Sequence, residues 1–560
     1  MPITDFLERN AREFPGETAL IEVNPDHANR EESWEEFSLV ESAPGAAYRR
    51  EISWDAFDFR ANRLANLLLA RGIKKGEKVA ILMMNSLEWL PVYFGILKAG
   101  AVAVPLNYRY TAEEIQYCLD LSDSAILFFG PEFEERVRKI KDDIPKCHEL
   151  FYVGAGCPDY ATDYFSFISF CSSRKPPVTL TDDDDAAIYF SSGTTGFPKA
   201  ILHKHRSLTH AAICEQKHHG QTRDDCFLCI PPLYHTGAKM HWFGSLVAGS
   251  PAVLLRGVSP KWILETVSLE HCTIVWLLVP WAQDILDAIE RGDVKLSDYE
   301  LGQWRLMHIG AQPVPPSLIK RWKDVFPHHE YDTNYGLSES IGPGCVHLGI
   351  ENIRKVGAIG IPGYGWEAKI VDEKRNEITD GSVGELAVKG PGVMVCYYHN
   401  PEATAETLSD DGWLFTGDMA RRDEEGFYWL VDRKKDVIIT GGENLYPVQI
   451  EDFMRACPLI KDVAVIGRPH PRLGEIASAI VELKEGVLAT PDDVFAAQNH
   501  LTEEEAMEAV TKFCQELPRY KRPREIIFDK VPRNPTGKIE KPRLREKYGA
   551  VELVAQQTEN

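Results

Sequence analysis

Positive charge is scarce in this sequence. Lys and Arg number 62 against 84 Asp and Glu, a formal net charge of −22 over 560 residues. Binding to nucleic acid rests on Lys and Arg neutralising phosphates, so it is excluded as a general property, and any anionic ligand must be held locally. Long apolar runs are missing too. The nearest approach to the roughly 18 residues of a membrane span is TIVWLLVPWA, Thr273–Ala282, broken by Pro280, so no integral membrane segment is expected. The start, MPITDFLERNAREFPG, lacks the basic opening and apolar middle of a secretory signal, which makes a cytoplasmic location the default. Twelve cysteines without regular spacing fit free thiols in a reducing compartment. Cys226 and Cys229 form a C-x-x-C with no second pair at zinc-site spacing, and they read as a buried, inert pair. GYGWEA, Gly363–Ala368, spells G-x-G-x-x-A but lies between strand-like segments and not before a helix, so a dinucleotide loop is rejected. There is no internal repeat and no convincing Ser-His-Asp unit.

What is present is a βαβ rhythm. KVAILMM (Lys78–Met84) reads as a buried strand, LEWLPVYFGILKAG as a helix stopped by Gly100, and AVAVPLN (Ala101–Asn107) as the next strand. That order implies largely parallel sheets. Gly and Pro become frequent after Val356, where short alternating strands predict a β-rich subdomain over about 356–431. The charged run DRKKD, Asp432–Asp436, marks a boundary. Beyond it come strands near Val463–Ile466 and Ala477–Leu483, a helix near Thr502–Leu517, and a basic tail with eleven Lys and Arg against four acids over Arg519–Lys547. The expected fold class is α/β. A large N-terminal domain, 1–432, holds layered, largely parallel α/β subdomains plus the β-rich one, and a small mobile α+β C-terminal domain covers 433–560.

AAIYF (Ala186–Phe190) reads as a strand, and SSGTTGFPK leaves its carboxyl end, the edge where open α/β sheets bind ligands. Ser191–Lys199 holds two glycines, four hydroxyl side chains and a lysine. Backbone N–H groups of a Gly-rich turn, with hydroxyls and a lysine, can ring the β- and γ-phosphates of ATP. The Walker pattern G-x-x-x-x-G-K-[ST] is not met, because Lys199 is followed by Ala200. The four aspartates Asp182–Asp185 just before the strand read as a solvated loop.

SSGTTGFPKA resembles the phosphate loop of the AMP-forming acyl-CoA synthetases, the adenylate-forming enzymes. Four further strings occur in that family's order: YGLSES (Tyr335–Ser340), GWLFTGD (Gly412–Asp418), DRKKDVIITGGENLYPVQIE (Asp432–Glu451) and PRNPTGKIEK (Pro532–Lys541). The resemblance covers nearly the whole chain. It implies that a carboxylic acid attacks the α-phosphate of ATP to give an acyl-adenylate and pyrophosphate, and that coenzyme A then displaces AMP. The substrate supplies the first nucleophile, so the site must supply charge neutralisation and in-line positioning.

By that resemblance Ser191, Ser192, Gly193, Thr194, Thr195, Gly196 and Lys199 hold the β- and γ-phosphates. Tyr335 stacks on adenine, with Asn334, Gly336 and the backbone of Gly310, Ala311 and Gln312 around it. Ser338, where the family usually has Thr, reaches a phosphate, and Glu339 holds Mg2+. Asp418 accepts from the ribose hydroxyls and Arg433 reaches the same ribose or its phosphate. Lys538 carries adenylation by neutralising charge on the α-phosphate. Lys435 is the hinge of the C-terminal domain, and Gly441, Gly442 and Glu443 enter the site for the coenzyme A step. Taken singly, each string also fits a plain turn or cap.

PPLYHTGAKMHWFGSL (Pro231–Leu246) matches the segment lining the family's acyl pocket. His235 would sit at its mouth, touching the carboxylate or gating thiol access, with Trp242, Phe243 and Leu337 as an apolar lining that core packing would explain equally well. No acid occurs between Pro231 and Leu246, which favours an uncharged fatty, aromatic or alicyclic acid. Three departures stand out: Ala200 for the usual Gly, Glu540-Lys541-Pro542 for the usual Leu-Arg-Arg, and insertions near 24–50 and 488–500. Rival readings are an adenylating enzyme that loads a separate carrier protein and a nucleotide-binding regulator without catalysis. A homodimer is left open.

Overall fold

A computed structural model describes residues 1–25, 48–191, 198–310, 314–440, 443–488, 500–533 and 538–549. The chain divides into two units, Met1–Lys369 with Ala387–Thr416, and Ile370–Leu386 with the chain from Gly417 onward.

The predicted rhythm is present in the first unit. Lys78–Leu82 and Val102–Pro105 pair in parallel, joined by the helix Trp89–Lys98, and Gly100 ends that helix at φ +76°, a conformation glycine adopts without a Cβ clash. These strands belong to an eight-stranded sheet in the order Cys396–Tyr397, Ala200–Lys204, Asp185–Phe190, Val102–Pro105, Lys78–Leu82, Ser124–Phe129, Glu149–Tyr152, Thr162–Asp163. Five of its seven pairings are parallel; Ala200–Lys204 runs antiparallel to both its neighbours. A second sheet runs Glu330–Asp332, Leu306–Gly310, Ile274–Leu278, Phe227–Cys229, Ala252–Leu255, Thr18–Val23, Arg49–Ser53, parallel except for its last pair. The segment that came closest to a membrane span is a buried strand of this sheet, Ile274–Leu278, followed by the helix Val279–Arg291 with Pro280 in its first turn. Among the described residues no helix is long and apolar enough to cross a membrane.

An aromatic core holds three helices of this unit together. Trp54–Ala70 and Trp89–Lys98 cross where Gly95 leaves no room, since a Cβ there would meet Leu64 Cβ at 2.6 Å. Beside that crossing Phe57, Phe94 and Phe243 surround Trp242, with ring centroids 6.1, 6.1 and 5.3 Å from it. Trp242 is 0% exposed. Trp242→Ala is therefore expected to destabilise the first unit by about 3–5 kcal/mol, the usual result of deleting a large buried aromatic. Urea unfolding checks this; a variant that unfolds like the wild type but accepts longer acids would instead put the ring in the acyl pocket.

In the second unit Ile460–His470 and Gly474–Leu483 form a long antiparallel pair, and Glu525–Phe528 joins the latter in parallel. The helices Pro447–Arg455 and Glu503–Cys514 cover one face through Ile450, Met454, Val510 and Cys514. Thr502 and Glu505 close a reciprocal capping box at the start of the second helix. All twelve cysteines are free, Cys226 and Cys229 among the buried ones. Of the four aspartates before the phosphate loop, Asp183 pairs with Arg206 and Asp184 with Lys75.

Candidate active site

The strand Asp185–Phe190 ends at Ser191, and Ala200–Lys204 returns antiparallel to it. Between them Ser192, Gly193, Thr194, Thr195 and Gly196 lie outside the described residues. The ends of this loop are pinned to each other: Ser191 N–H donates to the Lys199 carbonyl at 3.0 Å, and Lys199 N–H donates to Ser191 Oγ at 3.0 Å. The predicted loop thus has a closed base at the carboxyl edge of a sheet strand.

Three sequence candidates come together across that base through two residues the motifs do not contain. Tyr397, on the edge strand Cys396–Tyr397, donates its hydroxyl to Glu339 Oε1 at 2.8 Å. The Lys199 ammonium stands 4.6 Å from the centre of the same ring. Burial and the Glu339 carboxylate push the Tyr397 phenol far above its ordinary value, so it stays protonated and donates. His203, on the return strand, contacts the Ser338 carbonyl through Nε2 at 2.7 Å. Burial holds His203 down to about 4, so it is neutral at pH 7 with its proton on Nε2. Ser338 and Glu339 lie on a short turn of 3₁₀-helix, Ser338–Ser340, that follows the strand Asn334–Leu337.

Tyr335 is buried on that strand, while Gly336 and Leu337 are half-buried beside it. Asn334 Nδ2 donates to Glu215 Oε1 at 3.0 Å. Gly310 ends the strand Leu306–Gly310, paired with Leu278, and Ala311 and Gln312 lie outside the described residues. His235 caps the helix Thr236–Ala248: its Nδ1 accepts from Gly237 N–H at 3.1 Å. Trp242, seven residues on, points into the aromatic core described above.

The second unit carries the other candidates. Asp418 and Arg433 are opposite each other on the antiparallel strands Leu414–Arg422 and Tyr428–Arg433, with Arg433 Nε 3.3 Å from Asp418 Oδ1. Lys434 N–H donates to the Gly417 carbonyl, and Lys435 follows at the exposed end of that strand pair. Gly441 and Gly442 are outside the described residues. They connect Ile438–Thr440 to Glu443–Leu445, a hairpin in which Thr440 faces Glu443. Lys538 is half-buried, and its neighbour Ile539 forms an antiparallel bridge with Arg533. The unusual Glu540-Lys541-Pro542 has a physical role here. Pro542 lies in the first turn of the helix Lys541–Tyr548, and buried Lys541 pairs with Glu451 at 2.8 Å.

Beside these, Asp432 accepts from Arg433 N–H at 2.7 Å and Val448 N–H at 2.9 Å. Burial outweighs these bonds and Lys541, and raises its carboxyl to about 6. An acid whose folded value is raised favours the fold below its unfolded value, and that contribution is lost as pH rises through about 6. The stability difference between wild type and Asp432→Asn is therefore expected to shift in favour of the variant between pH 4 and pH 7. Denaturant midpoints at both pH values check this; a difference independent of pH would leave Asp432 ionised throughout.

A buried polar cluster went unseen in the sequence. Glu215, His219, His241, His308, Asp332 and His347 are each at most 1% exposed. Burial disfavours the charged His347 ring, but Asp332 and Glu215 outweigh it and bring it up to about 10. The acyl-pocket segment has no acid of its own, yet Glu215 Oε2 reaches His241 Nδ1 at 2.6 Å.

The family model for AMP-binding enzyme matches residues 7–398, and that for the AMP-binding enzyme C-terminal domain matches residues 449–538. The long-chain-fatty-acid--CoA ligase FadD13 of Mycobacterium tuberculosis (strain CDC 1551 / Oshkosh) is 32% identical over 500 residues, covering 88% of this chain and 92% of that protein. A feruloyl-CoA synthase of Amycolatopsis sp is 32% identical over 493 residues, with 88% and 92% covered. Among solved structures, the anthranilate CoA ligase AuaEII in complex with anthranoyl-AMP aligns with a TM-score of 0.84 at 25% identity, covering 98% of this chain and 97% of that one.

Proposed function

Since the chain belongs to the AMP-binding enzyme family, we propose that it joins a carboxylic acid to coenzyme A at the expense of ATP. A carboxylate oxygen attacks the α-phosphorus, the bond to the bridging oxygen of the β-phosphate breaks, and pyrophosphate leaves. The sulfur of coenzyme A then attacks the acyl carbon, its proton is lost to solvent or base, and AMP departs with the ester oxygen. The observation that carries this reading is the joining of Lys199, Ser338 and Glu339 around Tyr397 and His203 at the mouth of the phosphate loop.

In this reading the loop Ser191–Lys199 holds the β- and γ-phosphates and Lys199 offsets their charge. Asp418 and Arg433 hold the ribose. Glu339, a carboxylate that accepts from the Tyr397 hydroxyl, has the oxygen chemistry that Mg2+ takes. When bound there, Mg2+ screens the phosphate charge. Lys538 serves adenylation, and the segment 441–443 serves the thiol step after residues 433–560 turn about Lys435. The acid is fatty, aromatic or alicyclic; the relatives are named for long-chain fatty acids and ferulate, and the aligned structure for anthranilate.

The test is AMP release from Mg-ATP by purified protein with acids from acetate through medium-chain fatty acids to benzoate and cyclohexane carboxylate, each with and without coenzyme A. AMP that rises with one class of acid and only with coenzyme A is expected. Adenylate formed while coenzyme A is ignored would point to a carrier protein. ATP binding with no AMP from any acid would overturn the enzyme.

A further inference from the structure

Six buried titratable side chains take no part in the chemistry above, and they converge. Glu215 lies on the helix His205–His218 with His219 just past its end, and His241 on the helix Thr236–Ala248. His308 is on the strand Leu306–Gly310, Asp332 on Glu330–Asp332, and His347 on Gly342–His347. Such a group requires balance. Two carboxylates withdrawn from water are costly unless a cation or a full set of donors meets them.

The donors do not fully meet them. Asp332 Oδ1 accepts from Thr333 N–H at 2.8 Å and Gly349 N–H at 3.0 Å, and Glu215 Oε1 accepts from Asn334. One oxygen of each acid is thereby fixed to the scaffold. The other oxygen of each, Asp332 Oδ2 and Glu215 Oε2, is buried without a hydrogen bond, and so are His241 Nδ1 and His347 Nδ1. These atoms are near one another all the same: His241 Nδ1 is 2.6 Å from Glu215 Oε2, and His347 Nδ1 is 3.0 Å from Asp332 Oδ2. Each approach sets a carboxylate oxygen against an imidazole nitrogen.

His219 Nε2 stands at the middle. It is hydrogen-bonded to His308 Nδ1 at 2.9 Å and stands 3.5 Å from Asp332 Oδ2 and 3.7 Å from Glu215 Oε2. Ligand atoms about 2.0–2.1 Å from one zinc in tetrahedral array stand about 3.3 Å apart, and these separations bracket that value. The donor atoms of His219, His241 and His308 all lie within 4.8 Å of one another.

We propose that this cluster binds one divalent transition-metal ion of the zinc class, held by His219, His241 and His308 with a carboxylate oxygen of Asp332 or Glu215. Imidazole-rich donors select zinc and its neighbours over Mg2+ or Ca2+. This separates the site from the oxygen-based one at Glu339. The ion also answers carboxylate oxygens left without a hydrogen bond, with His347 remaining beside Asp332. Through His219, His241 and His308 the ion would tie two helices to the strand Leu306–Gly310 from inside, and through Asp332 to Glu330–Asp332 as well. It would also support the floor under the nucleotide residues: Asn334 bonds Glu215 directly, and a Cβ at Gly310 would be 3.9 Å from His308 Nε2.

The test uses tag-free, full-length protein loaded with zinc and dialysed with Mg2+ in excess. Elemental analysis is expected to find about one zinc per chain, and exchange with Co2+ should give visible absorption bands of a four-coordinate site. A transition-metal chelator, again with Mg2+ in excess, should lower the melting temperature by several degrees, and added zinc should restore it. His219→Asn and His308→Gln should each retain well under half of the metal, with near-UV circular dichroism confirming their fold. The wild-type measurement stands without the variants. Loaded wild type that holds less than a tenth of an equivalent of zinc, or unchanged zinc in folded His219→Asn, overturns the site in favour of a metal-free hydrogen-bonded network. Loss of ligase activity alone bears on the proposed function and not on this site.

Discussion

Lys538→Ala is expected to slow acyl-adenylate formation by about 10²–10³-fold, the usual result of removing one preorganised charge donor from a developing oxyanion. Transfer to coenzyme A from a supplied acyl-adenylate should change little, because in the proposed mechanism that half-reaction uses the segment 441–443 and not this lysine. The contrast between the two half-reactions is what identifies the role. Pyrophosphate release measured in a single turnover reads the first, and acyl-CoA formed from synthetic adenylate reads the second. Lys538 is half-buried beside the bridge between Arg533 and Ile539, a setting in which a lysine can also serve structure alone. Such a role would depress both half-reactions together, and equal losses would remove Lys538 from the chemistry. Lys538→Arg, which keeps the charge but changes its shape, should recover only part of the rate.

Glu339→Gln is expected to cost on the order of 10²-fold in adenylation, in keeping with the several kcal/mol a metal ion supplies to charge build-up at phosphorus. The half-saturating Mg2+ concentration should rise as well. Gln keeps the shape and still accepts from Tyr397, whose hydroxyl is 2.8 Å from Glu339 Oε1, so the change isolates the charge. Tyr397→Phe should be milder, about 10-fold, since it removes the group that orients the carboxylate and leaves the carboxylate itself. A Glu339→Gln enzyme with unaltered Mg2+ dependence would move the metal elsewhere.

Much of this was legible in the chain because it is local. Alternation marked the strands at Lys78–Leu82 and Val102–Pro105, and a glycine after the helix Trp89–Lys98 marked its end. The phosphate loop announced itself by hydroxyl density. The residues that escaped are brought together by sheet order. Tyr397 reaches Glu339 and Lys199 because Cys396–Tyr397 adds to the edge of a sheet whose other strands are far earlier in the sequence. The His and acid cluster draws on two helices and three strands, each giving one or two polar residues among apolar ones, a pattern without period. Trp242 was ambiguous for a different reason. Helical position tells which residues share a face but not whether that face meets a ligand or Phe57 and Phe94.

The cap at the start of the helix Thr236–Ala248 restricts what His235 can do. Its Nδ1 lone pair is committed to Gly237 N–H, which leaves the ring proton on Nε2. In that tautomer the outer edge of the ring is a donor. It can steady a carboxylate or the oxygen of an acyl-adenylate, but it has no lone pair there with which to take the proton of a thiol. To become a base the ring would have to turn and give up the cap, at about 1 kcal/mol. In the proposed reaction the sulfur of coenzyme A must therefore lose its proton to some other group.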